Sequence, residues 1–406
     1  MTAIAGLRGT GDWGADERPK DFRETILWLD PNGETPLQGL LSKMRSEKPS
    51  DPEFNWFEEA QGHVRLSING AIADGVPTAI VVDTDPVNGA FAVVAGDILI
   101  VETAGGILTG EQLLVTANPT TDVGLTVARG FAGSTAAAIA DGAFLLKIGN
   151  AFEEGTTSPK ATNRNPIKLT NYCQIFKTTY DITNTAAGTK LRTGDPIAND
   201  KRRKLFDVNR DMEMAMLYGR ASESTGPNGK PRRTTAGLLS HITTNRTQFG
   251  GGGGETAWTE DNLIDFFASV FNYNGEGAGN QRIAFCGNAA LTAINKLARN
   301  SSSTRINFDK AIKDVYGMSF TRWILPQGEI FLRTHPLMNI HPEMSKSMAV
   351  INPKGIVERP FRKLDFKDNI QAPDSDSKKG QWLAETGLEV HHEKTMAYAG
   401  GMGDVA

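Results

Sequence analysis

Chemistry in this chain would have to come from two cysteines, six histidines, scattered carboxylates and one run of bases. Two cysteines make neither a disulfide scaffold nor a four-ligand zinc site. Cys173 and Cys286 sit in apolar, strand-like runs, Tyr172–Phe176 and Ile283–Cys286, and are expected to be small buried hydrophobes. His335-Pro336 and His341-Pro342 are expected in extended loops, because proline disfavours helical backbone in the residue before it. His391 and His392 are expected on a strand, where neighbours point to opposite faces and do not share one metal. His63 and His241 have no partner pattern around them.

Motifs for nucleotides, acyl transfer and calcium fail on context. Gly9-Thr10-Gly11-Asp12-Trp13-Gly14 has dinucleotide-loop spacing, but no strand precedes it and Pro19 interrupts any helix after it. Gly130-Phe131-Ala132-Gly133-Ser134 lacks nucleophile-elbow spacing. Asp83-Thr84-Asp85 begins like a calcium loop without the ligand ladder or the closing glutamate, and reads as a turn. No enzyme, metal site or cofactor is expected. What remains is Lys201-Arg202-Arg203-Lys204, interleaved with Asp200, Asp207 and Asp211. It reads as a solvated helix face or as a weak, sequence-independent attraction to phosphate.

The elements that would position these groups change character along the chain. Residues 1–35 are irregular, with Thr25–Leu29 as the sole apolar grip. Thr35 and Pro36 are expected to cap and open a short helix carrying Leu37, Leu40, Leu41 and Met44. Residues 64–148 hold short β-rich runs split by Gly, Asp, Asn and Pro, the pattern of a small all-β barrel or sandwich. A polar linker over 151–170 leads to an alternating strand from Ile167 to Ile182. Asp195 and Pro196 start the clearest helix, with Ile197, Leu205, Val208, Met212 and Ala215 on one stripe and Lys201 as a solvated break. It is expected to end at Gly219 in a left-handed stop after roughly 35 Å. Ser222–Arg233 reads as a polar loop. Helices are expected from Thr259 to Phe271, from a capping Asn288 to Asn300, and over Asp309–Tyr316. Strands are expected at 282–286, 323–325, 329–333, 348–351 and 382–392.

Composition bounds the classes. The 406 residues suggest two or three domains and enough chain to bury a large core. Apolar residues are 39% and no run of about 18 of them occurs, so no membrane span is read. Met1–Arg8 lacks the layout of a signal peptide. The net charge of −4 is not that of a basic nucleic-acid binder, yet it is uneven. From Val64 to Leu146 two bases (Arg65, Arg129) face eight acids, a net of −6, which leaves +2 for the rest and marks a separate module.

The order of these parts resembles the major capsid proteins of tailed bacteriophages, in the group with a β-rich insertion in the extended loop. The resemblance runs from about Pro36 over nearly the whole chain. It is carried by Thr35-Pro36-Leu37 through Trp56, by Thr126-Val127-Ala128-Arg129-Gly130-Phe131-Ala132-Gly133-Ser134-Thr135 and by Phe152-Glu153-Glu154-Gly155. Asn171–Phe176, Met214–Gly219 and Gly237–Ser240 complete it.

The resemblance implies an α+β major capsid fold. Residues 1–50 would be an N-terminal arm, and 51–182 the extended loop region with 64–148 as the inserted β domain. Residues 183–257 would be a peripheral domain with a spine helix, 258–350 an axial domain, and 351–406 a return to the peripheral domain. It implies self-assembly into pentamers and hexamers of an icosahedral or prolate head around double-stranded DNA, in the virion and, during assembly, in the host cytoplasm. Partners would be other copies of the chain, non-specific DNA, and a scaffolding protein, portal and decoration protein. The absence of a long N-terminal scaffolding segment sets the expectation of a separate scaffold. Lys201, Arg202, Arg203 and Lys204 would face DNA, Gly194 and Gly219 would be hinges, and Trp28, Leu37, Trp56, Phe57 and Phe176 would meet neighbouring copies. The rival readings are an encapsulin-like compartment shell and a surface or decoration protein binding glycans through the β module.

Overall fold

The computed structural model describes residues 35–403 except 60–63, 75–77, 86–88, 164, 192, 251, 253, 274–278, 301–311 and 316–317. The chain divides into two compact units. One is Phe57–Lys168; the other combines the residues up to Trp56 with those from Leu169 onward. The chain enters and leaves the first unit along two strands, Glu53–Glu58 and Ile167–Tyr172, which pair with each other.

Residues 57–168 are built on six strands: 65–67, 79–81, 97–102, 108–117, 124–128 and 144–150. Numbered along the chain, they are ordered 1-6-3-4-5-2 in one sheet, and every pairing is antiparallel. A bridge from Ile68 to Val82 joins the first strand to the last and closes the sheet. Where the two strands meet, this bridge covers the edge that each would otherwise offer to a foreign strand. Alternation points Leu99, Val101, Leu113, Val115, Leu125, Val127 and Leu145 inward, each buried. Each such side chain contributes about 1.5–3 kcal/mol of transfer free energy.

One corner of this sheet is held by a buried ion pair. Arg129 Nε and Nη2 donate to Glu111 Oε1 and Oε2 at 2.5 and 2.9 Å, and Nη2 also reaches the Ala137 carbonyl. The pair fixes the turn that follows. There Gly130 (φ 65°), Ala132 (φ 58°) and Gly133 (φ 78°) are left-handed, and a Cβ on Gly130 would lie 2.9 Å from the Ser134 carbonyl oxygen. The run Thr126–Thr135 is therefore a structural corner.

The second unit centres on a seven-stranded mixed sheet. Its strands, in spatial order, are 246–248, 397–400, 348–351, 281–286, 328–334, 318–325 and 312–315. Two of its pairings are parallel, 246–248 with 397–400 and 281–286 with 328–334. Ile283-Ala284-Phe285-Cys286 reads as an unbroken apolar run because both faces of the sheet are covered. Ala284 and Cys286 join a core with Leu263, Phe266 and Phe267 of the helix Glu260–Ser269 and Ile294 of the helix Asn288–Asn300. Ile283 and Phe285 join the other core, with Val208, Met212 and Met216 of the long helix Pro196–Tyr218. That helix also packs on a three-stranded antiparallel sheet, ordered 356–367, 377–390, 174–183.

Arg282, fully buried, has no carboxylate partner among the described residues. Its guanidinium donates to the carbonyls of Gly279, Gln281, Val270 and Thr395, and burial lowers its pKa.

Local expectations fail where a distant partner intervenes. Thr35 makes no side-chain cap on the short helix Pro36–Leu41. Asn288 lies inside its helix, and its side-chain oxygen accepts from Thr334 Oγ1. Residues 312–315, expected to be helical, form a strand against 318–325; 309–311 lie outside the described residues. The polar loop Ser222–Arg233 is a hairpin, Ser222–Thr225 with Pro231–Thr234. His391 and His392 follow their strand, with His392 in a left-handed turn (φ 53°).

Replacing Arg129 with Met should leave Glu111 buried and unpaired. We expect a loss of about 3–5 kcal/mol from the unfolding free energy of the full chain in denaturant titration. The Glu111→Gln, Arg129→Met double variant should recover part of it. Equal cost for the single and double variants would show that the pair does not act as a unit.

Candidate functional site

The long helix is the element on which the expected site depends. Asp195 Oδ1 accepts from the Ile197 amide at 3.0 Å, and Pro196 fills the first turn, as the local sequence dictates. Lys201, Arg202, Arg203 and Lys204 all lie on it, but they do not form one face. Lys201 Nζ stands 3.6 Å above the Phe366 ring and 5.8 Å from that of Trp382, whose indole N–H donates to the Lys201 carbonyl. It is a packed cation against the three-stranded sheet, not a solvated break. Lys204 Nζ is 3.2 Å from Asp207, and Arg203 is 3.5 Å from Asp200. The Arg202 guanidinium lies over Phe206 at 5.5 Å. Arg203 and Lys204 share a shallow cleft with Asp181, Asp200 and Asp207, where acids outnumber bases.

The contact candidates separate by burial. Leu37 and Phe176 belong to the chain's own core. Trp56 packs in a small cluster with Phe54 and Cys173 and lies against His241 and His391. Most of the apolar surface of these three is packed inside the chain, with Trp56 8% and Phe176 6% exposed. Phe57 is 66% exposed. Trp28 lies outside the described residues.

The hinge candidates differ as well. Gly194 adopts φ +88° with open space around it. Gly219 is not left-handed (φ −59°, ψ 157°). A Cβ there would meet the carbonyl oxygens of Ala215 and Thr235 at 2.4 and 2.5 Å, so this glycine permits close packing of two chain segments. Gly237 does the same from the other side: a Cβ there would lie 2.6 Å from the Ala215 oxygen.

The polar centre of the unit was not visible in the sequence. Glu213, fully buried on the long helix, accepts from the amides of Leu37 and Gln38 at 2.7 and 2.9 Å. It thus caps the short helix in place of Thr35. Its Oε1 also lies 2.8 Å from Nε2 of His335, which is itself fully buried and stacked edge-on against Phe285. The signal available was a glutamate between the apolar positions Met212 and Met216. Its partners are 176 and 122 residues away.

Among the described residues no group of three or more His, Cys, Asp or Glu is arranged to hold a metal, and no helix is long and apolar enough to cross a membrane. Asp83 Oδ2 instead accepts from Ser67 Oγ at 2.5 Å. Both cysteines are buried; burial, then Glu385, pushes the Cys173 thiol up to about 12, and burial raises Cys286 further.

Sequence comparison identifies the family. The sequence model of the SU10 major capsid protein family matches residues 4–402. The chain belongs to the SU10 major capsid protein family. It acts as a phage major capsid protein, a structural component of the virion. A major capsid protein of Pseudomonas phage PaMx41 is 26% identical over 379 residues, 92% of this chain and 84% of that one. Among solved structures, a capsid of a native GTA particle covers 99% of this chain and 100% of its own, at 9% identity and a TM-score of 0.49. A Mycobacterium phage Bobi chain covers 94% and 95%, at 7% identity and 0.44.

Glu213→Ala should cost this family member about 3–5 kcal/mol, because two amides and a buried imidazole lose their acceptor. Glu213→Gln, which keeps the shape, should still speed hydrogen exchange at residues 37–42. Unchanged protection there in Glu213→Gln would refute the capping role.

Proposed function

We propose that copies of this chain form pentamers and hexamers that close an icosahedral or prolate head around double-stranded phage DNA. The observation that carries this reading is the family match over nearly the whole length of the chain. Phe57, Ile107, Ile324 and Ile340 are each more than half exposed. A shell closes through heterologous contacts, and each contact need be only moderate because every copy makes several.

Scaffolding, portal and decoration proteins are the partners proposed for assembly in the host cytoplasm. The DNA contact is proposed to be weak and non-specific. Of the four bases at 201–204, Arg202 and Arg203 are the more exposed, whereas the Lys201 ammonium lies over ring faces. Gly194 remains the proposed hinge at the start of that helix.

Light scattering and electron micrographs of the purified chain, with its scaffold added, should show megadalton shells with five-fold and six-fold capsomers. A chain that stays monomeric with scaffold present would refute the assembly. In phage heads, Arg202→Ala with Arg203→Ala should lower nuclease-protected DNA by no more than a few-fold and leave shell yield unchanged. Unaltered DNA retention at raised salt would remove these two residues from the DNA surface.

A further inference from the structure

The outer strand of the three-stranded sheet, Ile356–Lys367, pairs along one side with Ser377–Val390. Its other side meets a single bridge, Ser46 to Glu358. From Pro360 onward no strand continues the ladder among the described residues. The strand carries Pro360 and two register shifts here, at Pro360/Arg362 and Arg362/Asp365. Proline, bulges and lysines are the features by which an edge refuses another strand. An incoming chain must therefore be held by side chains and not by backbone pairing.

A cleft of about 590 Å³ opens at this place. Lys48, Arg362, Lys363 and Lys367 line it against one acid, Asp365. Arg362 is held by Glu385 at 2.6 Å. Lys48, Lys363 and Lys367 are exposed and form no ion pair among the described residues. Phe361 and the buried Leu383 add an apolar wall. Cations beside an apolar wall fit a carboxylate-bearing peptide that also carries an apolar side chain. A phosphodiester backbone would use the cations and leave the wall unmatched.

The chain contains such a peptide. Glu153 and Glu154 are exposed and form no ion pair among the described residues, and Phe152 beside them is 43% exposed. We propose that this cleft is an interface between copies of the chain, and that it receives the Phe152-Glu153-Glu154-Gly155 run of a second copy. The proposal rests on the shell-forming reading. Each ion pair at such a surface contributes at most about 1 kcal/mol. The contact gains weight by repetition over every copy in the shell.

Carbodiimide activation of assembled shells tests it directly, because the reagent joins a carboxylate to an amine already in contact. Shells built from a mixture of isotope-labelled and unlabelled chains should yield amide-linked peptides pairing Glu153 or Glu154 with Lys48, Lys363 or Lys367. The two halves should carry mixed labels. Lys363→Glu with Lys367→Glu should lower shell yield about fivefold or more, the size of one lost pair of ~1 kcal/mol. Adding Glu153→Lys and Glu154→Lys should restore at least half of it.

Linked peptides absent from well-formed shells, or carrying one label only, would overturn the interface. So would normal shell yield from the Lys363→Glu, Lys367→Glu variant with loss of protected DNA, which would assign the cleft to nucleic acid. Absence of shells from the unmodified chain would instead remove the shell-forming reading, and this interface with it.

Discussion

A carboxylate without access to water organises the larger unit of this protein. Burying Glu213 is costly unless its oxygens are fully engaged. Two backbone amides and an imidazole supply that engagement. The amides come from the short first helix and the imidazole from the segment that leaves the central sheet at His335. These contacts tie the long helix to both neighbours. The short helix has six residues and no cap of its own, and it is too short to persist alone. Its order is borrowed from a residue far along the sequence.

This arrangement explains which parts of the structure were legible beforehand. The long helix announces itself locally through Asp195, Pro196 and its apolar stripe, and its start follows from contacts within a few residues. The two-sided burial of Ile283–Cys286 is likewise written in its composition. Thr35 and Asn288 show the limit. Both have the right chemistry for a cap, but the amide or the side chain is engaged by a partner that no local pattern reveals. The hairpin Ser222–Thr234 was missed because it buries almost nothing, so it leaves no apolar alternation to read.

The basic run is a different case. Four consecutive residues on a helix turn by about 100° each, so they cannot share one face. Lys201 falls toward the aromatic sheet while Arg202 and Arg203 point to water. Leu37, Trp56 and Phe176 pack mostly within the chain for a related reason. Large apolar residues at helical or alternating spacing serve the chain's own core first.

The closed six-stranded sheet meets the rest of the chain through two strands that are already hydrogen-bonded side by side. An insertion whose ends leave and return at adjacent points asks little of its host beyond closing one loop. A replacement of this module would have to keep both strands, Glu53–Glu58 and Ile167–Tyr172, because their pairing holds the two ends together.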